Sequence, residues 1–151
     1  MIPIRRLGTG DGARAEKAVR AFKGRSLSAD SLDAFLANPA NYLLVAVAED
    51  GREPVGYLLA YRLQRPDRQA AQMFIYEVDV AEGRRRRGLA SALLEEIRRL
   101  ASAEGMFEAF VLTSRGNEAA RSLYARTGAA VEDDAAILCV YPLPDRSRGA
   151  A

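Results

Sequence analysis

Four consecutive arginines stand directly before a glycine and a helical pattern in residues 82–91, EGRRRRGLAS. The first N–H groups of a helix have no partner within it, and the helix dipole favours negative charge at that end. Cations placed there oppose the dipole unless an anion binds between them. Gly88 would let the backbone approach such an anion without a Cβ in the way. The pattern favours a phosphate-binding loop over a solvated basic turn or an RNA-binding patch.

The overall charge argues against an extended nucleic-acid surface. The 22 lysines and arginines face 20 aspartates and glutamates, which leaves a formal charge of only +2. No apolar run approaches the roughly 20 residues needed to span a bilayer, and the N-terminal residues lack the apolar core of a signal peptide. We therefore expect a cytosolic protein with neither a nucleic-acid nor a membrane partner.

Histidine and cysteine usage limits the chemistry further. The chain has no histidine and a single cysteine, Cys139. An internal disulfide, a conventional zinc site and any triad with an imidazole base are therefore excluded. Because Cys139 lies in the apolar run AILCVYPL, we interpret it as a small core residue rather than a nucleophile. Chemistry must come from carboxylates, tyrosines, hydroxyls or backbone groups.

A second glycine-rich stretch, GTGDGA at residues 8–13, fits the dinucleotide fingerprint G-x-G-x-x-A. A dinucleotide-binding unit needs a second apolar strand ending in an acid about 20 residues later. Here that region reads RSLSADSLDAF, which is polar and helical in spacing. We therefore interpret the stretch as a helix start and not as a cofactor loop.

The elements that must position these residues follow from periodicity and turn signals. We predict one α/β (α+β) domain over residues 1–144, a mixed and mostly antiparallel sheet flanked by helices, and a flexible tail over 145–151. A hairpin is expected at Asp50-Gly51, a helix capped by Ser28 or Asp30, and another capped by Asn117. The predicted order is β α α β β β α β α β. The predicted strands lie at 2–7, in two runs within 42–63, and at 71–80, 107–113 and 136–143, with a short extra strand near Ala130. The predicted helices lie within 8–22, 28–38, 88–105 and 117–127.

Two motifs in this order carry a family resemblance. The signature Q/R-x-x-G-x-G/A after the fourth core strand is matched by Arg85, Gly88 and Ala90 in RRRGLA. A helix that begins at Asn, contains Leu-Tyr and ends at Gly is matched by NEAARSLYARTG, residues 117–128. On these residues the chain resembles the GNAT superfamily of acyl-CoA-dependent N-acetyltransferases over almost its whole length, which implies acetyl-CoA as the cofactor.

Two further stretches, FIYEVDVAEGRRRRG and EDDAAILCVYPL, resemble the type I aminoglycoside 3-N-acetyltransferases. That likeness implies acetyl transfer to the 3-amine of an aminoglycoside. A protein α-amine, a lysine or another polyamine is the alternative acceptor, and a homodimer is left open. The chain departs from the subfamily by carrying Glu77 where Asp is expected and by having Asp79 as an extra acid.

The resemblance also implies the residues that bind the cofactor and the substrate. A strand bulge would free backbone N–H groups for the thioester and pantetheine arm, and the arginine loop would hold the pyrophosphate. A polycation needs several acids, which would converge if the last helix-to-strand loop folds over the fourth strand. The predicted cofactor residues are Val78, Val80, Arg85, Arg86, Arg87, Gly88, Leu89, Ala90, Ser91 and Asn117, and the predicted substrate residues are Glu77, Asp79, Glu132, Asp133 and Asp134.

Three side chains are predicted to carry the reaction. An alkylammonium must lose a proton before its nitrogen attacks, and without histidine a carboxylate accepts it directly or through water. Glu77, an acid inside an apolar strand, is the first candidate, and Asp79 on the same face of a regular pleat is the second. Tyr124 matches the family's general acid for the departing thiolate. The alternatives are a solvated strand face for the two acids and a packing role for Tyr124.

Overall fold

The computed structural model describes residues 2–145, in which five strands form one sheet in the order β1-β2-β3-β4-β5. All neighbouring strands are antiparallel except β4 and β5, which are parallel, so the predicted mixed and mostly antiparallel fold is confirmed. The elements are β1 Ile4–Arg6, α1 Gly12–Lys23, α2 Ala29–Ala37, β2 Asn41–Val47, β3 Pro54–Arg65, β4 Arg68–Val80, a 3-10 turn Glu82–Arg84, α3 Leu89–Ala103, β5 Glu108–Val111 and α4 Glu118–Arg126.

The sheet separates two hydrophobic cores because its strand residues alternate between faces. On one face α3 packs Leu93 and Ile97 against Leu58 and Met73, all of them fully buried. Gly56 makes this approach close, since a Cβ there would lie 3.0 to 3.3 Å from side-chain atoms of Ala46, Leu93 and Leu89. On the other face α1 and α2 cover Leu43, Val45 and Tyr57.

The predicted helix starts and the hairpin are found where the sequence placed them. Ser28 Oγ accepts a hydrogen bond from the Ser31 N–H at 3.2 Å and caps α2. Asn117 Oδ1 accepts from the Ala120 N–H at 3.1 Å and caps α4. Gly51 has φ +72° in the turn between β2 and β3, a conformation that glycine adopts readily.

The glycine-rich stretch before α1 has an internal anion where a dinucleotide phosphate would otherwise bind. The N–H groups of Gly10 and Gly12 both donate to Asp33 Oδ1 at 2.9 Å. A Cβ on Gly12 would lie 2.2 Å from the Ala29 carbonyl oxygen, so this glycine is needed for α1 and α2 to pack. These contacts agree with the interpretation of the stretch as a helix start.

The strands β4 and β5 diverge halfway along the sheet. Their parallel pairing runs from Gln72 with Glu108 to Ile75 with Val111, and β4 then continues to Val80 alongside β3 only. The pairing of Glu77 with Leu59 and of Ile75 with Ala60 leaves Tyr76 as an extra residue on β4. The predicted bulge in this strand is therefore present, and β4 has an open edge beyond it.

The prediction of a last strand over residues 136–143 is wrong for the protomer. The backbone from 135 to 145 forms no helix or strand, and the apolar side chains there are exposed. Cys139 is also exposed, so its assignment to the core is wrong too, and no strand forms near Ala130. Strand propensity alone is not sufficient, because a strand also needs a paired edge, and within residues 2–145 no segment pairs with this one, including β5, whose outer side has no neighbour. The tail at 146–151 lies outside the described residues.

Candidate active site

The loop before α3 has the backbone geometry of an anion-binding site. Arg86 has φ +63° and Gly88 has φ +79°, both in the left-handed region. Left-handed residues within a turn direct successive N–H groups toward one side, where they form a concave donor surface. Such a conformation is costly for Arg86, by about 1 kcal/mol or more, and strain of this kind is typical of functional sites.

The N-terminus of α3 contributes further donors to this loop. Gly88 is the N-cap and supplies no side-chain acceptor, and the Ala92 N–H makes the first intrahelical bond, to the Gly88 carbonyl at 3.0 Å. The N–H groups of Leu89, Ala90 and Ser91 therefore have no acceptor within the helix. No atom lies within 4 Å of a Cβ built on Gly88, so the space in front of the loop is open.

The four arginines have different environments. Arg84 Nη1 lies 3.1 Å from Glu49 Oε2, and Arg85 Nε donates to the Val80 carbonyl at 3.2 Å. Among the described residues, neither Arg86 nor Arg87 has an ion-pair partner. Arg84 thus attaches the loop to the turn between β2 and β3, and Arg85 attaches it to β4, while the other two arginines remain able to contact an anion. The sequence pattern alone did not separate these two pairs.

The open edge of β4 presents backbone donors next to the loop. The Ala81 N–H donates to the Val55 carbonyl at 2.9 Å, toward β3, so strand alternation directs the Val78 and Val80 N–H groups toward the opposite edge. The Val80 N–H donates a hydrogen bond to Asp79 Oδ1 at 2.8 Å. Of the two predicted donors, Val78 is therefore the better placed to bind a ligand carbonyl.

Glu77 lies half-buried on the sheet face that carries α1. Its Oε2 atom is 2.7 Å from Nζ of Lys23, the last residue of α1, so the carboxylate already holds a primary ammonium. Burial raises the pKa of the neighbouring Tyr57, and the Glu77 charge raises it further. Burial also raises the pKa of Tyr61, and the charges of Tyr76 and Glu77 raise it further. The phenols around Glu77 therefore stay protonated and able to donate hydrogen bonds.

Asp79 lies two residues beyond Glu77 on the same face, as predicted, because Leu59 and Tyr57 pair with the two acids in regular alternation. Its carboxylate is exposed and accepts from the Val80 N–H, and Arg85 Nη2 lies 3.8 Å from it. The contacts of Asp79 thus join β4 to the arginine loop, whereas the contact of Glu77 with Lys23 joins β4 to α1.

Tyr124 lies on α4 and packs, half-buried, against the core on the α3 face of the sheet. Burial raises the pKa of its phenol, so the hydroxyl remains a proton donor. Glu77 is on the opposite face, and the structure brings the two side chains into no direct contact. Asn117 is placed as the cap of α4, and the backbone of Ser91 as a donor at the start of α3.

The three acids after α4 were expected to converge on β4 if their segment folded back over the sheet, and in the protomer that condition is not met. Asp134 Oδ2 lies 3.2 Å from Arg115 Nη2, and Asp133 Oδ1 accepts from the Ala135 N–H at 2.9 Å. Glu132 is exposed, as are the other two. The reason is that the segment carrying them does not fold back over the sheet.

Lys23 and Tyr57 were missed by the sequence analysis. Lys23 ends an amphipathic helix, where a basic residue is expected from the helix dipole alone, and it is 54 positions from Glu77. Tyr57 is one of several aromatic residues in a β-rich run. Only the packing of α1 on the sheet brings them to the acid, so no local pattern could have identified them.

A mixed sheet in which β5 leaves β4 halfway, with helices on both faces, is the fold of acetyltransferases. The chain belongs to the Acetyltransferase (GNAT) family, whose sequence model matches residues 14–129. No curated protein matches the chain in sequence. Within residues 2–145, no helix is long and apolar enough to cross a membrane.

Solved structures share this fold over nearly the whole chain. One is an aminoglycoside acetyltransferase from an uncultured soil metagenomic sample in complex with sisomicin, at TM-score 0.84 and 22% identity, covering 95% of this chain and 97% of that chain. A second aminoglycoside acetyltransferase from such a sample has TM-score 0.84 and 25% identity, with coverage of 95% and 99%. A ribosomal-protein-alanine N-acetyltransferase from Brucella melitensis biovar Abortus 2308 has TM-score 0.71 and 19% identity, with coverage of 93% and 100%.

Proposed function

We propose that this acetyltransferase moves an acetyl group from acetyl-CoA to an amine of an aminoglycoside antibiotic, at the 3-amino position, by direct attack in a ternary complex. The observation that carries the proposal is the contact of the Lys23 ammonium with Glu77 at 2.7 Å, where β5 has left β4. A primary ammonium is the group that such a substrate would present there. The likeness to two aminoglycoside acetyltransferases supports this acceptor class.

The loop and the open edge of β4 fit acetyl-CoA. The N–H groups of Leu89, Ala90 and Ser91 face an open space in front of Gly88. Arg86 and Arg87 would supply countercharge to the pyrophosphate, and the Val78 N–H would bind along the pantetheine arm. Acetyl-CoA supplies an activated acetyl thioester at this position.

The proton transfers are assigned to this chain's side chains. Glu77 accepts the proton of the substrate ammonium, directly or through a water, so that the nitrogen can attack. The Val78 N–H donates to the carbonyl oxygen as negative charge develops on it. Tyr124 donates its proton toward the departing sulfur, for which a phenol kept protonated by burial is suited. Asp79 contributes negative charge to substrate binding.

Substrate binding requires that Lys23 leave Glu77. The ammonium of Lys23 and that of the substrate compete for one carboxylate, and Lys23 is exposed at the end of its helix. A surface ion pair of this kind contributes about 1 kcal/mol or less, so a polycation can displace it. Lys23 therefore keeps the acid paired until substrate arrives.

The test is an acetyl-CoA consumption assay against 2-deoxystreptamine aminoglycosides, polyamines and peptides, with the acetylated nitrogen located by NMR. The expected result is aminoglycoside turnover with modification at the 3-amine. If only peptides or polyamines are turned over, the aminoglycoside is the wrong acceptor, but the assignment of acetyl transfer stands. Tight RNA binding with steep salt dependence and no acetyl transfer would overturn the proposal.

A further inference from the structure

One ammonium group of the chain already lies where the ammonium of the acceptor is proposed to bind. Lys23 Nζ is 2.7 Å from Glu77 Oε2, and the Glu77 side chain is only 25% exposed. The carboxylate that Lys23 contacts is the group assigned to accept a proton from the acceptor amine. The ion pair therefore holds an amine nitrogen of the chain itself against the proposed base.

Lysine is a rare residue in this chain. Of the 22 lysines and arginines only two are lysines, Lys17 and Lys23. An arginine would pair with a carboxylate at least as well, through two parallel hydrogen bonds, but its guanidinium stays protonated and is not a nucleophile. A lysine ammonium can lose a proton, and its free amine can attack a carbonyl carbon. The pairing with Glu77 alone does not require a lysine, whereas a reacting amine does.

The end of α1 leaves this amine free to move between Glu77 and an acetyl group on β4. Lys23 is the last residue of the helix, Gly24 follows it as a left-handed C-cap at φ +74°, and the Lys23 side chain is 45% exposed. Val78, whose N–H is proposed to bind the thioester carbonyl, directly follows Glu77 in β4. Because the amine and the thioester are then held at neighbouring residues, their reaction needs no encounter between two molecules.

We propose that the enzyme acetylates its own Lys23 when acetyl-CoA is bound and no acceptor fills the site, and that this modification frees Glu77 for the acceptor. The inference rests on the acetyl transfer and on the role of Glu77 in the proposed function, but it does not depend on the acceptor being an aminoglycoside. Lys23 is then a modification site, and the acetyl donor is the enzyme's own cofactor.

The reaction balances with the groups already assigned. Glu77 takes a proton from the Lys23 ammonium, and the free amine attacks the thioester carbonyl carbon. The nitrogen–carbon bond forms, the carbon–sulfur bond breaks, and the departing sulfur takes a proton from Tyr124. The nitrogen loses a second proton, which replaces the one given by Tyr124. The products are the acetylated Lys23 side chain, free coenzyme A and the proton that Glu77 passes to solvent.

Acetylation of Lys23 changes the charge that faces Glu77. The amide formed at Lys23 is neutral, so the ion pair is lost and the carboxylate becomes available to the ammonium of a substrate. Arg20 remains in the last turn of α1 and keeps a positive charge at the C-terminus of the helix. The modified enzyme should therefore bind a cationic acceptor with a several-fold lower KM, as is expected when Lys23→Gln removes the same charge.

The first test is incubation of the enzyme with acetyl-CoA in the absence of any acceptor, followed by intact mass spectrometry and peptide mapping. The expected result is one acetylated lysine per chain, at Lys23. Lys17 is the internal control, because it lies in the same helix and pairs with Glu53 at 3.1 Å. Its side chain is 52% exposed, so purely chemical acetylation would modify Lys17 at least as fast as Lys23. An unmodified Lys23, or equal modification of both lysines, would overturn the proposal.

The second test determines whether the modification requires Glu77 and occurs within one chain. Glu77→Gln should remain unmodified at Lys23, because the proton acceptor is gone. It should also remain unmodified when mixed with an equal amount of Lys23→Arg, which keeps Glu77, since Lys23 contacts the acid of its own chain. Acetylation of Lys23 in the Glu77→Gln chain, alone or in the mixture, would overturn the proposal.

Turnover assays with aminoglycosides separate this inference from the proposed function. Aminoglycoside turnover by a wild type whose Lys23 stays unmodified would overturn self-acetylation and leave the proposed function standing. Acetylated Lys23 without aminoglycoside turnover would support self-acetylation and show that the acceptor is another amine. For the amine that is turned over, wild type acetylated beforehand should have a several-fold lower KM than Lys23→Arg, which keeps the charge and cannot be acetylated. Equal KM values would overturn the release of Glu77.

Discussion

Two regions of the chain differ sharply in how well they are packed. Every buried hydrophobic side chain among the described residues lies between Leu7 and Ala101, in the part of the chain that carries α1 to α3 and β2 to β4. After Met106, no side chain of β5 or α4 is fully buried, and most of the exposed large apolar residues are found there. The first region is a well-packed domain core, whereas the second leaves most of its large apolar side chains exposed.

The candidate site uses both regions. Glu77, the arginine loop and the start of α3 belong to the well-packed region, so their geometry is set by the core. Tyr124 lies on α4, which has no fully buried residue and is held by half-buried contacts and by the hydrogen bond of Arg98 to the Thr127 carbonyl at its C-terminal end. Positions fixed by a packed core suit binding and proton acceptance, while a loosely held donor helix depends on further contacts.

The largest expected effect is on turnover, when the hydroxyl of Tyr124 is removed from α4 in the weakly packed region. Tyr124→Phe should lower turnover about 100- to 10,000-fold while leaving acetyl-CoA binding unchanged, because it removes one hydroxyl. Since burial raises the pKa of Tyr124 above its ordinary value, the phenol is protonated below pH 10, and the loss should be uniform from pH 6 to 9. Steady-state kinetics measure this. Tyr141→Phe, with an exposed phenol, is the control, and a Tyr124→Phe enzyme with wild-type turnover would make Tyr124 a packing residue only.

Two Leu→Ala substitutions, one in each region, compare how much the packing of each region contributes to the free energy of unfolding. Leu93→Ala removes a fully buried side chain and should lower the free energy of unfolding by about 2 to 5 kcal/mol. Leu138→Ala changes a side chain that is 85% exposed in the protomer, and its effect on the free energy of unfolding should stay within about 0.5 kcal/mol. Urea unfolding monitored by circular dichroism gives both values. Equal losses in the two variants would mean that the Leu138 side chain is packed against its own domain.

The effect of Gly88 on cofactor binding can be separated from backbone strain, because glycines with positive φ flank α3 at both ends. Gly88→Val should abolish the rise in melting temperature that acetyl-CoA produces, because its side chain fills the space in front of the loop. Gly105→Val introduces the same kind of strain at the other end of the helix, at φ +75° and also in open space, and should keep the shift. Retention of the shift in Gly88→Val would place the phosphates elsewhere.

The smallest effect is expected at the ammonium that occupies Glu77. Lys23→Gln removes the competitor for the carboxylate and should lower the KM for an aminoglycoside several-fold with little change in kcat. Lys17→Gln, which removes an exposed pair with Glu53 instead, should leave both constants unchanged. A higher KM in Lys23→Gln would show that Lys23 assists binding rather than competing with it.

The sequence predicted most of the first region because its signals are local. The Ser28 cap, the Asp50-Gly51 turn and the amphipathic pattern of α3 each depend on a few neighbouring residues. Alternation along β4 also placed Glu77 and Asp79 on one face. Local patterns could not supply the partner of a strand, which is why residues 136–143 were assigned to the chain's own sheet. Nor could they supply Lys23, whose contact with Glu77 depends on tertiary packing.

Glu77→Gln tests the central claim, that Glu77 accepts the proton of the substrate amine, most directly when kcat/KM for a 2-deoxystreptamine aminoglycoside is measured from pH 6 to 9. Glu53→Gln, at an exposed position, is the control. The account predicts a loss of about 100- to 10,000-fold at neutral pH that narrows at high pH, where more substrate amine is already neutral. Asp79→Asn should mainly raise KM. Full activity of Glu77→Gln across this range would contradict the account, and a simultaneous loss of kcat in Asp79→Asn would assign proton acceptance to Asp79.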